Sequence, residues 1–154
     1  MITYKQRYTE AHKENFARAY PKAYADGLYC EPKIPKVKTA NGLTTFICNF
    51  LLWKRHRATR INSTGRLIDG TEKGPTGNVI GVKKWIPGST RKGTADISAT
   101  IQGRSVMIEI KVGNDKPSDY QMKEQQLERN AGGVYEFIKT PEMFFDLYDK
   151  ILQL

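Results

Sequence analysis

The amino-acid sequence predicts an α/β fold of the α+β kind, a mixed β-sheet flanked by helices, and three observations carry the prediction. The first is strict alternation. Ile97, Ala99 and Ile101 share one parity and Val106, Ile108, Ile110 and Val112 share one on the next run, so each run is a half-buried strand. The second is a strand, helix, strand succession. After Lys111 the turn GNDKP leads to Ser118, an N-cap for DYQMKEQQLERNAGG, whose helix ends at Gly132 or Gly133 before the strand VYEFI. Two strands separated by a helix imply a parallel crossover, whereas the first two runs meet at a tight turn and must be antiparallel. The third is helical spacing in the N-terminal half, at Leu43, Ile47, Phe50, Leu51 and Lys54.

Taken in order, residues 3 to 20 read as a helix with Thr9 as its N-cap and Tyr4, Tyr8, Phe16 and Tyr20 near helical spacing, stopped before Pro21. Those aromatics read as core or dimer contacts. YADGLYCEPKIPKVKTANG, with two prolines, several lysines and an Asp-Gly, is a connecting loop. Asn41 or Thr44 caps a second helix running to about His56, with Trp53 in the core. A strand follows around Arg57 to Asn62 and runs into a Ser-Thr-Gly turn. DGTEKGPTGN (69 to 78) is a flexible turn region, and VIGVKKWIP is another strand. At the C-terminus Thr140 caps a helix with Pro141 at its first position. The layout is one domain over 1–154: an N-terminal helix and linker over 1–40, a core over about 41–140 and a C-terminal helix over about 141–152.

With 154 residues, 39% of them hydrophobic, the chain is long enough for one real core and short for two. No apolar run reaches membrane-spanning length, since Phe46 to Trp53 is interrupted by Asn49, and MITYKQRYTEAHKE lacks the apolar stretch of a signal peptide. A soluble, intracellular, cytoplasmic protein with no membrane partner is expected. Cys30 and Cys48 stand in no metal-like spacing and read as reduced thiols. The net charge of +9 is concentrated: residues 31 to 95 hold 13 Lys and Arg against 3 Asp and Glu, while residues 96 to 154 hold 7 against 10. A polyanion, DNA above all, is the natural partner of the basic middle, whose strand carries Lys83 and Lys84.

The chemistry concentrates in GTADISATIQGRSVMIEIK, residues 93 to 111. A two-residue loop at Gln102-Gly103 sets Ile101 opposite Arg104, Ala99 opposite Val106 and Ile97 opposite Ile108; a three-residue loop would shift this register. Continued one step, the pairing sets Asp96 beside Glu109 on the face that the aliphatic residues do not use, with Lys111 roughly 6.6 Å further along. Two opposed acids beside one lysine build stability poorly and hold a divalent cation well. Hard oxygen ligands suit Mg²⁺ or Mn²⁺, which keep several waters for a phosphate.

The sequence G-x-x-D, thirteen residues from Asp96 to Glu109, then E-I-K, then Gln121 opening a helix that ends in Gly-Gly, resembles the PD-(D/E)xK nucleases. More narrowly, residues 40 to 140 resemble the virus-type replication-repair nuclease (VRR-NUC) domains. The resemblance implies a Mg²⁺- or Mn²⁺-dependent DNA endonuclease acting on branched or four-way-junction DNA as a homodimer. Asp96, Glu109, Lys111 and Gln121 would be the catalytic set. Asp96, Glu109 and the carbonyl of Ile110 would hold the metal, Lys111 would orient the attacking water or stabilise charge on the phosphate, and Gln121 would position Lys111 or the substrate. One departure stands out, because the family often carries an acid on the helix here spanning 40 to 57, and this chain has none; Asn49 or water would take that place. Arg60, Asn62, Ser63 and Arg66 are then either DNA contacts or the polar groups of a basic hairpin, and Arg91 and Lys92 either DNA contacts or solvated turn charges. Gly93 either admits a phosphate close to Asp96 or makes a plain turn. Gln125 and Gln126 read as surface residues. A dimer interface is expected on the aromatic N-terminal helix and on Met143, Phe144, Phe145, Leu147, Tyr148, Ile151 and Leu152, an apolar surplus for one terminal helix. The competing class is a DNA-binding module that keeps the fold without turnover.

Overall fold

A computed structural model describes residues 2–61, 66–86 and 91–154. In chain order they form α1 (Tyr4–Ala19), α2 (Pro21–Ala25), α3 (Ala40–Trp53), β1 (Arg57–Arg60), β2 (Arg66–Asp69), β3 (Glu72–Lys73), β4 (Val79–Ile80), β5 (Lys83–Ile86), β6 (Ile97–Ile101), β7 (Arg104–Ile110), α4 (Asp119–Asn130), β8 (Val134–Ile138) and α5 (Pro141–Leu152). The architecture is mixed α+β, with a four-stranded sheet in the order β1-β6-β7-β8.

The β6–β7 hairpin has the register read from the sequence, with Ile97 opposite Ile108, Ala99 opposite Val106 and Ile101 opposite Arg104. Its loop places Gln102 at φ 48° and Gly103 at φ 81°. Two successive left-handed residues match the right-handed twist of the flanking strands. β1 joins β6 antiparallel, and β8 joins β7 parallel after the α4 crossover, so the sheet is mixed as expected. The aliphatic face, with Ile97, Ala99, Ile101, Val106, Ile108, Ile110 and Ile138, is buried against α1, α3 and α5. α4 covers the reverse face, where Gln125 donates to the Tyr135 carbonyl at 3.0 Å. Gln125 is therefore a buried tether, not the surface residue expected; Gln126 is exposed.

Several caps differ from expectation. Thr3, not Thr9, caps α1, accepting from Gln6 N–H while the Gln6 side chain returns to the Thr3 N–H. This reciprocal pairing satisfies two donors that a mid-helix Thr9 could not reach. Pro21 does more than stop α1, since it opens the short α2 at a first-turn position that needs no N–H. Thr39 caps α3 by accepting from Gly42 N–H at 3.1 Å, in place of Asn41 or Thr44. The Thr44 hydroxyl is turned back to the Ala40 carbonyl at 2.8 Å. α3 ends at Trp53, short of His56, where Arg55 turns left-handed at φ 67°. Ser118 and Thr140 cap α4 and α5 as expected.

Residues 69 to 78 are not simply a turn. They carry β3 and, with β4, β2 and β5, make a two-stranded ribbon in which Leu67 faces Trp85 and Lys73 faces Val79. The expected strand VIGVKKWIP is split at Gly81, whose φ of 110° breaks the ladder. Of the apolar residues of α5, Phe144, Phe145, Tyr148 and Ile151 are buried in the protein's own core, where Phe50 meets three of their rings edge-on, while Met143 and Leu152 remain 40% and 39% exposed. Among the described residues, no helix is long and apolar enough to cross a membrane.

Candidate active site

Asp96 stands one residue before β6, held from two sides. Its peptide carbonyl accepts the Ile61 N–H at 2.7 Å, and its Oδ2 accepts the Ile110 N–H at 3.0 Å. Those two bonds fix the carboxylate between the end of β1 and the end of β7. Glu109 and Lys111 lie on the same stretch of β7 and just past it, and alternation turns both to the reverse face. They are 5% and 6% exposed, charged groups buried under α4. Lys111 Nζ lies 3.2 Å from Glu109 Oε1 and 3.2 Å from Asp115 Oδ2.

Gln121 completes the cluster by a route the sequence did not suggest. Its side-chain oxygen accepts the Ser118 N–H at 2.9 Å, as part of the α4 cap, and its amide Nε2 donates to Glu109 Oε1. Of the two partners expected, Lys111 or the substrate, Lys111 is not the one it bonds: the amide meets Glu109, because the cap holds the side-chain oxygen and leaves the amide directed at the sheet.

Burial pushes the Glu109 carboxyl up to about 7, the nearby Asp96 charge adds to the push, and Lys111 opposes it. Burial pulls the Lys111 ammonium down, but its bonds to Glu109 and Asp115 more than reverse this, leaving it above the ordinary lysine value. The two statements compete, since Lys111 gains from a charge that Glu109 carries only in part near neutrality. Burial dominates for Glu109, so the pair is a proton-poised site and not a settled salt bridge. A strongly raised carboxyl between a second acid and a cation is the condition a divalent cation would relieve, and the donor set of two carboxylates with the Ile110 carbonyl beside them fits Mg²⁺ or Mn²⁺. Among the described residues no group of three or more His, Cys, Asp and Glu side chains converges as a metal site. Asn49, the side chain suggested for the third ligand, lies in the contact between α1 and α3, where its Nδ2 donates to the Tyr8 hydroxyl at 3.2 Å.

The loop before Asp96 is shaped by α4. Gly93 has φ +86°, and a Cβ there would lie 2.5 Å from the Tyr120 carbonyl oxygen. The close approach of this loop to the helix is a third reason for glycine there, beside the two read from the sequence. Tyr135, which no motif or spacing singled out, locks the same loop: its buried hydroxyl donates to the Gly93 carbonyl at 3.0 Å. Burial raises its pKa, with the Glu109 and Asp96 charges adding, so it stays a donor. Its parity on VYEFI places it on the reverse face, but the loop it holds is remote in sequence.

The basic residues fall into two groups. Near the site, Arg91 pairs with Glu124 of α4, the Lys92 ammonium lies 5.2 Å from the centre of the Tyr120 ring, and Arg60 at the end of β1 donates to the Asn41 side chain. Lys83 and Lys84 are exposed on the ribbon. Asn62 and Ser63 lie outside the described residues, as does the Arg66 side chain. A separate groove lined by Arg7, Glu14, Lys54 and Tyr148 lies among the helices on the far side of the sheet from Glu109 and takes no part in this cluster.

The fold and site together define a class: a mixed sheet between helices that presents two acids, a lysine and a glutamine at one end of a hairpin. Comparison with protein-family models, with curated proteins and with solved structures found no significant match.

Proposed function

We propose that the protein is a metal-dependent deoxyribonuclease of the PD-(D/E)xK kind, close to the VRR-NUC type, acting on intracellular DNA. The observation that supports this most is the convergence of Asp96, Glu109, Lys111 and Gln121, with the Glu109 carboxyl pushed up to about 7 by burial and by Asp96. Asp96, Glu109 and the Ile110 carbonyl would hold Mg²⁺ or Mn²⁺. When bound, that ion polarises the scissile phosphate and lowers the pKa of the attacking water.

The protein's own groups supply the rest. Asp96 is kept in one rotamer by the Ile110 N–H, so its position owes nothing to substrate. Gln121 holds Glu109 oriented, and Lys111 brings a buried cation to the place where charge develops on the phosphate. A buried ammonium between two acids also acts as a proton holder toward water. Arg60, Arg91 and Lys92 surround this end of the sheet and neutralise flanking phosphates. Supercoiled plasmid should be cleaved with Mg²⁺ or Mn²⁺ and left intact in EDTA. Asp96→Asn should abolish cleavage with DNA affinity retained or raised; a gel-shift affinity falling tenfold along with activity would argue against this division of labour.

One observation favours a non-catalytic DNA-binding module: among the described residues no third acid joins the pair. Metal-independent binding without cleavage by the unaltered protein would establish it. The nuclease reading extends to a homodimer on branched DNA, since one site per chain cuts one strand and a two-fold pair suits a four-way junction. With four apolar residues of α5 buried internally, the exposed Tyr20, Tyr24 and Leu28 around α2, with Met143 and Leu152, offer the apolar surface for that contact.

A further inference from the structure

The ribbon of β2 to β5 is the least protected part of the protein. No residue from 67 to 86 is buried, and Leu67, Val79, Ile80, Val82 and Trp85 are 55%, 69%, 59%, 78% and 60% exposed. A lone two-stranded ribbon is marginal in water, so a partner is expected to cover it. Two features identify that partner. The ribbon is inserted between Ile61 and Asp96, the two residues joined by the 2.7 Å backbone bond, so it is rooted at the candidate active site. Its residues also alternate in a particular way. Leu67, Trp85 and Lys83 share one face while Ile68 and Lys84 share the other, so each face presents both apolar groups and a cation. Lys83 is held only by an exposed pair with Asp69 at 3.0 Å, which is weak and readily exchanged.

A protein interface covers one face. A ribbon with cations on both faces suits a slot with two anionic walls, and the major groove of duplex DNA, roughly 12 Å wide, admits a two-stranded ribbon. We propose that residues 66–86 form a groove-binding arm that lies in the major groove of the duplex flanking the phosphate held at Asp96 and Glu109. Lys83 faces one phosphate wall with Trp85 and Leu67 beside it, and Lys84 faces the other with Ile68 beside it. The location of that phosphate rests on the nuclease reading; the binding of the arm to duplex does not.

The test is therefore made in EDTA, with a duplex of about two helical turns followed by fluorescence anisotropy across a salt series. Lys83→Ala/Lys84→Ala should weaken binding roughly tenfold and reduce the slope of log affinity against log salt by about two. The protein has two tryptophans, so Trp53→Phe leaves Trp85 as the sole emitter, and duplex should quench it or shift its emission. Unchanged affinity and slope with unchanged Trp85 emission would overturn the arm. Equal loss of affinity on single-stranded DNA would overturn the groove placement. Replacing 67–85 by a short Gly-rich link should leave the mass in light scattering as it was; a dimer that becomes a monomer, with the lysine variants binding normally, would assign the ribbon to a second copy instead. Loss of duplex binding in these variants of a protein that cleaves nothing would sink the nuclease reading and leave the arm standing. Normal binding by the same variants of an active nuclease would do the reverse.

Discussion

Glu109 is where the chemistry and the stability of the protein meet. Burial, with the Asp96 charge adding, pushes its carboxyl up from the ordinary 4.5 to about 7, so the folded protein holds the proton more tightly than an unfolded chain. Stability from this group is fully present below about pH 4.5 and is lost as pH rises through 7, a loss on the order of 3 kcal/mol without metal. Glu109→Gln should accordingly raise the metal-free melting temperature at pH 8 and leave it nearly unchanged at pH 5. Equal shifts at both pH values would contradict the assignment. Mg²⁺ should raise the melting temperature of the unaltered protein at pH 8 and have little effect on that variant. Asp96 calls for asparagine and not alanine in any test, because its Oδ2 accepts the Ile110 N–H and alanine would leave that donor unpaired at a cost of about 1–3 kcal/mol. The hairpin register that brings Asp96 towards Glu109 was legible in the sequence, since alternation and a two-residue loop set it locally. The tie from Gln121 to Glu109 was legible only as to its residues, because its direction depends on the α4 cap. Tyr135 was not legible at all, its partner at Gly93 being brought near only by the sheet.

Among the elements, α4 is the one that assembles the site, since it supplies Gln121, packs Tyr120 against Gly93 and ties itself to β8 through Gln125. Gly93→Ala meets both a positive φ and the Tyr120 backbone, so it should cost at least about 1–3 kcal/mol and displace the helix start. Cleavage should fall well beyond the loss of folded protein, which activity per folded molecule by circular dichroism would check; activity that merely tracks folding would show that the loop and α4 are independent. The helices and the core strands could be read from the sequence because their apolar spacing is long and regular. The ribbon could not, because β3 and β4 are two residues each and Gly81 interrupts the run between β4 and β5, leaving no period to read. The caps at Thr3 and Thr39 were misplaced for a related reason: the winning hydroxyl depends on where the chain turns inward, and each helix carries further threonines, Thr9 in α1 and Thr44 and Thr45 in α3, that compete on sequence alone.

At the scale of the whole molecule, the three helices α1, α3 and α5 consume their own aromatics in one core, so association must use surface that this core leaves over. Light scattering at tens of micromolar should give twice the 17.5 kDa chain mass, and a value near the single chain would remove the dimer while leaving the site untouched. The insertion of the ribbon between β1 and β6 also bears on chain entropy. Joining Ile61 to Asp96 closes a long loop, yet the ribbon inside it is a nested pairing whose own turn, Gly74 to Gly77, is local. Where that pairing is formed it already ties part of the loop together, so Ile61 and Asp96 close over a shorter free span. Because closure entropy grows only with the logarithm of loop length, doubling the insertion adds about 0.6 kcal/mol. The bond that seats Asp96 is thus nearly indifferent to how far the ribbon extends, and length can change there with little effect on the carboxylate at its root.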